Sequence, residues 1–404
     1  MKCGLLGQKL EHSYSPAIHQ LLGNYEYTLF EKEPEELEDF LQNGGFDGIN
    51  VTMPYKKAVI PFLNSLTPIA EQLGAVNTIV RQDGKLIGSN TDYWGFHSMV
   101  ENSGLSPKGK KCLVLGSGGA SKVVQCVLRD LEGQVIVISR SGENHYGNLS
   151  RHTDAAIIVN ATPVGMYPDT SISPIDLALF PRLEGVLDVI YNPARTQLLM
   201  NAERLGIIAM NGLWMLVSQA IYASACFTGL QADRNATERI YKTLKAKMEN
   251  IILIGMPGCG KSTVGKLLAE YTGKRFVDTD EEIVKLAQKS IPRIFAEDGE
   301  AVFRAYESQV LETFGKQSGL VIATGGGCVT KAENYPLLHQ NGRIFWLQRD
   351  ICNLSTEGRP LSQGIALSTM YHTRKDLYTA FADGIIENNG TPEEAVTAIL
   401  EKMK

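Results

Sequence analysis

Asn250-Ile-Ile-Leu-Ile-Gly-Met-Pro-Gly-Cys-Gly-Lys-Ser262 decides the fold of the second half of the chain. Its first five residues carry no charge and run through Ile251–Ile254 without a polar break, the pattern of a strand buried on both faces. Glycines follow at once, and after them a helical pattern begins. That order is what a phosphate loop needs. The backbone of Gly255, Gly258, Cys259 and Gly260 wraps phosphate oxygens, and Lys261 reaches the β- and γ-phosphates. Ser262 ligates Mg2+, and Thr263 continues the helix start. The loop predicts ATP and Mg2+ as ligands.

A second strand-turn-helix pattern lies upstream. Lys111-Cys-Leu-Val-Leu115 reads as a buried strand, and the turn after it holds Gly116, Ser117, Gly118, Gly119 and Ala120. Such glycines let helix amides face a pyrophosphate. Ser121 stands at the third fingerprint position, where Gly or Ala is usual, so taken alone the stretch also reads as a plain tight turn. The next strand, 134–138, adds a discriminating feature. It ends in Ser139-Arg140-Ser141, where an acid would be expected for a free ribose 2′-hydroxyl. Arg140 suits a 2′-phosphate, with Ser139 as an extra donor, and predicts NADP. The competing reading is a solvated surface arginine.

Bulk properties bound the rest. At about 100–200 residues per domain, 404 residues make two to four domains. The hydrophobic fraction of 44% supports ordinary globular cores, and a net charge of −5 offers no polybasic signal for nucleic acid or membrane. The seven cysteines are odd in number, scattered, and lack a C-x-x-C pair, which argues against a disulfide framework and a zinc site. Residues 213–230 form the most apolar long stretch, but Ser218, Gln219, Ser224 and Thr228 interrupt it, so it reads as a buried helix. With no signal-peptide pattern at residues 1–7, the expected compartment is the cytoplasm. Short apolar runs alternating with helical patterns imply α/β architecture with mainly parallel sheets.

Polar clusters supply candidate chemistry. Ser13 and Ser15 precede a Pro-initiated helix, where hydroxyls suit a small carboxylate or simply cap the helix. Asn50, Thr52 and Lys56 gather at the end of a strand, Asn77 follows in Gly74-Ala-Val-Asn-Thr78, and Asp92 opens a helix. Lys56 and Asp92 can form a proton-transfer pair; singly, each also fits a surface ion pair or an N-cap. In the second half, Asp278 and Asp280 lie two apart at a strand end, so both carboxylates point one way, one toward hydrated Mg2+ and one toward a substrate hydroxyl. Arg304, the glycines Gly325–Gly327, Arg359 in Gly358-Arg-Pro-Leu361, and Arg374 complete the set.

Residues 1 to about 245 resemble shikimate dehydrogenase. The motifs are Ser13-Tyr-Ser-Pro16, Asn50-Val-Thr-Met-Pro-Tyr-Lys56, Gly74-Ala-Val-Asn77, Asn90-Thr-Asp92, Gly116–Ala120, Asn160-Ala-Thr-Pro-Val-Gly-Met166, Asp188-Val-Ile-Tyr-Asn-Pro193 and Met215-Leu-Val-Ser-Gln219. The resemblance implies that Ser13 and Ser15 hold the carboxylate of 3-dehydroshikimate, and that Thr52, Asn77, Asp92 and Gln219 hold its ring hydroxyls. It implies that Lys56 and Asp92 are catalytic, that Tyr191 lies beside the substrate, and that Asn160, Thr162 and Gly212 line the nicotinamide end. Residues 249–404 resemble shikimate kinase through the phosphate loop, Asp278-Thr-Asp280, Phe303-Arg304, Gly325–Gly327 and Gly358–Leu361. That resemblance implies Asp280 on the reacting hydroxyl, Arg304 and Arg374 on the carboxylate of shikimate, Gly325, Gly326 and Gly327 amides on hydroxyls, Arg359 on the transferring phosphoryl, and Asp278 with Ser262 at the metal.

Three stretches depart from these patterns. The 140–154 stretch is short, so one crossover helix of the cofactor lobe is expected to be reduced. The stretch between Arg349 and Arg359 is also short and lacks a basic residue often found before the lid arginine. Asp376 and Ala380 replace the usual Pro and Glu near the end. The expected organisation is a two-lobed dehydrogenase followed by a three-layer P-loop kinase. Its substrate lobe spans 1–100, completed by 211–248, the Rossmann-like NADP lobe spans 101–210, and the kinase spans 249–404.

Overall fold

The computed structural model describes residues 1–10, 13–23, 25–354 and 367–403. Two compact units form. The first comprises Met1–Val164, Ile172–Tyr191 and Asn201–Thr243; the second comprises Gly165–Ser171, Asn192–Met200 and Leu244–Lys404.

The first unit holds two sheets. One contains β1 (Lys2–Gly7), β2 (Glu26–Glu31), β3 (Gly48–Val51), β4 (Ser65–Leu66), β5 (Thr78–Gln82) and β6 (Lys85–Ser89) in the order β2-β1-β3-β5-β6-β4. It is not all parallel. β5 runs antiparallel to both β3 and β6. The reason is local: Asp83-Gly84, both at positive φ, make a two-residue hairpin turn between β5 and β6. The hairpin sets Thr78 opposite Ser89, and so brings Asn77 beside the Asn90-Thr91-Asp92 segment.

The other sheet contains β7 (Lys111–Leu115), β8 (Gln134–Ile138), β9 (Ile157–Asn160), β10 (Gly185–Asp188) and β11 (Ile208–Met210) in the order β11-β10-β9-β7-β8, all parallel. The helix Gly119–Asp130 packs on β7 and β8. The connection from β8 to β9 carries only a 3-10 segment, Tyr146–His152, in place of a full crossover helix, as the short 140–154 stretch predicts.

The interrupted apolar stretch forms the helix Leu213–Thr228, most of it buried. It lies against the helix Asp92–Ser103. Contact is close because Gly95 has no side chain: a Cβ there would stand 2.8 Å from the Met215 carbonyl oxygen and 2.9 Å from Gln219 Cβ. No helix among the described residues is long and apolar enough to cross a membrane.

The second unit has one parallel sheet of β12 (Asn250–Ile254), β13 (Arg275–Asp278), β14 (Leu320–Ala323), β15 (Gly342–Gln348) and β16 (Gly384–Glu387), in the order β13-β14-β12-β15-β16. β12 and β14 are buried at every residue, which is why they read as unbroken apolar runs. The helices Lys261–Thr272 and Pro392–Met403 pack together beside the sheet.

Gly95→Val should force the two helices of the first unit apart and cost about 1–3 kcal/mol of stability by overpacking. Urea unfolding checks this; an unchanged midpoint would show that the contact yields without cost.

Candidate active sites

Asp92 is the first residue of its helix, and Lys56 Nζ donates to Asp92 Oδ2 at 2.6 Å. Both side chains are half-buried, so the pair is of modest value to stability and remains open to a ligand. Behind it lies a buried polar network. Asn77 Oδ1 accepts from the Thr91 amide at 2.7 Å, Thr91 Oγ1 at 3.2 Å and Thr78 Oγ1 at 3.0 Å. Its oxygen is fully engaged, which fixes the orientation of the amide and leaves Nδ2 as the donor. Asn50 Nδ2 donates to Thr78 Oγ1 at 3.2 Å, and Asn50 Oδ1 accepts from Tyr27 Oη at 2.8 Å.

Ser15 begins the helix Ser15–Leu22, and its amide donates to Ser13 Oγ at 3.2 Å. Tyr14, between the serines, meets the ring of Tyr191 edge-on at 5.8 Å. Thr52 is half-buried at the end of β3. Gln219 Nε2 donates to the Leu216 carbonyl at 2.8 Å. Tyr27 stands in no quoted motif, and Thr78 and Thr91 sit inside motifs without a role assigned, because each acts through another side chain. His19 is buried under this lobe, stacked on Tyr27 with centroids 3.9 Å apart, its Nδ1 2.6 Å from Tyr25 Oη.

In the cofactor lobe, Gly118 caps the helix Gly119–Asp130, and space is open above Gly118 and Gly119. Ser117 and Ala120 flank them, exposed. The helix amides therefore face open space that a pyrophosphate can enter. Ser121 is buried and its hydroxyl donates to the Gly116 carbonyl at 2.6 Å. It closes the turn where a third glycine or alanine is usual. Arg140 is exposed at the end of β8, near Tyr146, with Ser139 Oγ donating to the Ser141 carbonyl beside it. An exposed cation and a bare helix start fit an NADP phosphate pair.

Asn160 is wholly buried. Its Nδ2 donates to Asp188 Oδ1 at 3.0 Å, and its Oδ1 accepts from the Thr162 amide at 3.1 Å and Thr162 Oγ1 at 2.7 Å. Its side chain shapes the turn that presents Thr162, and Thr162 Cγ2 packs on Gly116. Gly212 packs on the Val189 carbonyl, leaving no space for a side chain.

In the second unit, one cavity of about 410 Å³ gathers Lys261, Asp278, Asp280, Arg304 and Arg374 with Gly325–Gly327. Ser262 Oγ donates to Asp278 Oδ2 at 2.6 Å. Asp278 caps the next helix, its Oδ1 accepting from the Asp280 amide at 3.0 Å. The hydroxyl and carboxylate lie side by side at the loop, as a hydrated Mg2+ with few protein ligands requires. Lys261 Nζ donates to the carbonyls of Gly255 at 2.9 Å and Met256 at 3.0 Å. Cys259 is fully buried, so it contributes backbone and not a reactive thiol to the loop.

Arg304 is buried and pairs with Glu307 at 2.7 Å and Glu300 at 3.1 Å. Burial raises the Glu307 carboxyl above its ordinary range, although Arg304 opposes the shift. Gly327 has no side chain to block this guanidinium, which comes within 2.3 Å of where a Cβ would stand. The Gly325 amide donates to Thr279 Oγ1 at 3.0 Å, which leaves Gly326 and Gly327 to present amides. Arg374 Nη1 and Tyr378 Oη both donate to the Gly326 carbonyl, at 3.1 and 2.5 Å. Glu307, Thr279 and Tyr378 were not singled out by sequence: they hold ligand-facing groups in place from behind. Arg359 lies outside the described residues.

Residues 5–79 match the family model for the shikimate dehydrogenase substrate binding domain. A shikimate dehydrogenase (NADP(+)) of Clostridium perfringens is 34% identical over 266 residues, covering 60% of this chain and 98% of that protein. The chain belongs to the shikimate dehydrogenase family. A Symbiobacterium thermophilum shikimate dehydrogenase (NADP(+)) is 37% identical, covering 54% of this chain and 86% of its own length.

Two solved structures agree with that membership. The chorismate mutase/shikimate 5-dehydrogenase fusion of Clostridium acetobutylicum is 36% identical with a TM-score of 0.58, covering 60% of this chain and 96% of its own. The Thermus thermophilus shikimate 5-dehydrogenase in complex with NADP(H) and shikimate is 32% identical with a TM-score of 0.54, covering 60% and 99%. Residues 257–404 match the family model for shikimate kinase. The chain thus joins a shikimate dehydrogenase part and a shikimate kinase part in one polypeptide. It is a bifunctional shikimate-pathway enzyme, an NADP-dependent oxidoreductase and an ATP-dependent phosphotransferase, with a Rossmann-like lobe and a P-loop domain.

Burial lowers the His19 pKa from 6.5 to about 3. Between those values the unfolded chain binds a proton that the folded chain does not, so stability falls as pH drops below 6.5. The slope approaches about 1.4 kcal/mol per pH unit for this one group. His19→Gln should flatten the acid limb of stability, measured by urea unfolding across that range; an unchanged slope would contradict it.

Proposed function

We propose the following division of work among the residues. The substrate lobe spans 1–100 and is completed by 211–248, the NADP lobe spans 101–210, and the kinase spans 249–404. In the first site Ser13 and Ser15 hold the carboxylate of 3-dehydroshikimate, and Thr52, Asn77 and Gln219 hold its hydroxyls. Tyr191 closes one side of the substrate. NADPH, when bound at Gly116–Ala120 with its 2′-phosphate on Arg140 and Ser139, supplies the hydride. Gly212 and the turn set by Asn160 and Thr162 shape the nicotinamide end. Lys56 Nζ delivers a proton to the oxygen of the reduced carbonyl and is reprotonated from solvent, while Asp92 orients Lys56 and accepts a hydrogen bond from the substrate. The 2.6 Å Lys56–Asp92 pair beside Asn77 supports this reading.

In the second site Asp280 accepts the proton of the 3-hydroxyl, the group the first site has just made. Arg304 and Arg374 take the carboxylate of shikimate, Gly326 and Gly327 amides its other oxygens, and Gly325 supports that loop. Gly255, Gly258, Cys259, Gly260 and Thr263 form the phosphate cradle, and Lys261 with Arg359 neutralises the transferring phosphoryl. Ser262 and Asp278, side by side at the loop, would hold Mg2+, which would offset negative charge on the phosphates. Convergence of Lys261, Asp278, Asp280, Arg304 and Arg374 on one cavity carries this half. With all seven cysteines unpaired, we place the enzyme in a reducing cytoplasm.

The full chain, given 3-dehydroshikimate and NADPH, should oxidise NADPH without ATP, and release ADP only once shikimate is made or added. Lys56→Ala should lower the reductase rate at least about 100-fold and leave phosphorylation of added shikimate intact. Arg140→Ala should raise KM for NADPH about tenfold and leave that for NADH little changed. A reductase that survives Lys56→Ala would remove Lys56 from the chemistry.

A further inference from the structure

Arg349 is the first residue beyond β15, the strand paired with β12 through Ile254↔Trp346, immediately before the phosphate loop. Its side chain lines the same 410 Å³ cavity as Gly258, Gly260 and Lys261. Nη1 stands 3.9 Å from where a Cβ on Gly260 would be. Nε is buried and has no hydrogen-bond partner among the described residues. Each of the other cations already named there is engaged: Lys261 on two carbonyls, Arg304 on two glutamates, Arg374 on the Gly326 carbonyl. A buried donor left without an acceptor is destabilising unless a ligand supplies one.

We propose that Arg349 is a polyphosphate-binding residue of the kinase site, directed at the β- and γ-phosphates of ATP beside Gly260. The inference rests on the kinase reading of this cavity. Its position favours phosphate over the shikimate carboxylate. Arg304 and Arg374 flank Gly326–Gly327, whereas Arg349 flanks Gly260, on the side where Asn388 Nδ2 holds the Cys259 carbonyl at 2.6 Å. A guanidinium fork matches two phosphate oxygens at once, and its charge adds to that of Lys261 from the opposite chain segment. The sequence between Arg349 and Arg359 is short and lacks a further basic residue before Arg359. Arg349 supplies a cation from the rigid end of a strand.

The test uses the full chain with Arg349→Gln and Arg349→Lys. Calorimetric affinities for Mg·ADP, AMP and shikimate are measured beside kinase KM values for ATP and shikimate. Arg349→Gln should weaken Mg·ADP and raise KM for ATP about tenfold or more, with Arg349→Lys recovering part. AMP and shikimate affinities should stay within about twofold. Unchanged Mg·ADP affinity would overturn the proposal, as would equal losses for AMP and ADP, which place the contact on the nucleoside side. A parallel fall in shikimate affinity would mark a structural role and also overturn it. A wild-type chain that binds Mg·ADP yet fails to phosphorylate shikimate would refute the acceptor assignment, while the Mg·ADP comparison would still judge Arg349.

Discussion

A parallel strand covered on both faces can display polar groups only where it ends. In both parallel sheets of this chain the carboxyl end of a central strand runs straight into a helix whose first amides have no partner in the helix itself. Gly118 and Gly260 stand at those helix starts. The positive ends of the helix dipoles and the unfilled amides create two anion sites before any side chain is considered. Side chains then refine the sites: Ser121 closes one turn, Lys261 folds over the carbonyls of the other, and Arg140 adds a cation at the neighbouring strand end.

The substrate side of the dehydrogenase obeys a different constraint. There the sheet is mixed, and a two-residue hairpin aligns Asn77 with the Thr91-Asp92 helix start. The functional groups are presented by a buried network and not by a helix dipole alone. Asn77 offers its amide because three donors occupy its oxygen. Asn160 and Glu307 follow the same logic, each buried and bonded so that Thr162 or Arg304 is held for a ligand. Such residues are rigid because an unpaired polar group in these interiors would be costly.

Fusing the two activities demands no new chemistry at either site. The first site makes a hydroxyl by reduction, and the second phosphorylates that hydroxyl. In the proposed assignment each site would draw its carboxylate recognition from its own residues, serines at a helix start in one and arginines in the other. Burial explains the difference. Arg304, buried, is paired with the buried Glu307 and the exposed Glu300, and Arg374 with the Gly326 carbonyl. The serines need no such partners, and Ser13 instead caps Ser15 locally.

Residues proposed to touch ligands were legible in the sequence because their chemistry demands particular types at particular spacings. Gly255–Ser262 fixes a strand, a loop and a helix by itself, and Ser139-Arg140 raises the expectation of an extra phosphate. The reduced crossover between β8 and β9 was visible simply as missing length. Other features became visible only in the tertiary structure. Tyr27 and Tyr378 stand in no quoted motif, and Thr78 and Thr279 sit inside motifs without a role of their own; each acts on a partner more than twenty residues away, while Glu307 acts on Arg304 one helical turn away. The Asp83-Gly84 hairpin turned part of an expected parallel sheet antiparallel, because two positive φ angles outweigh the apolar pattern of the strands around them. Spacing along the chain therefore determined which anions and hydroxyls the protein can meet. Burial and hydrogen-bond closure, which depend on residues brought together from distant segments, decided how those groups are aimed.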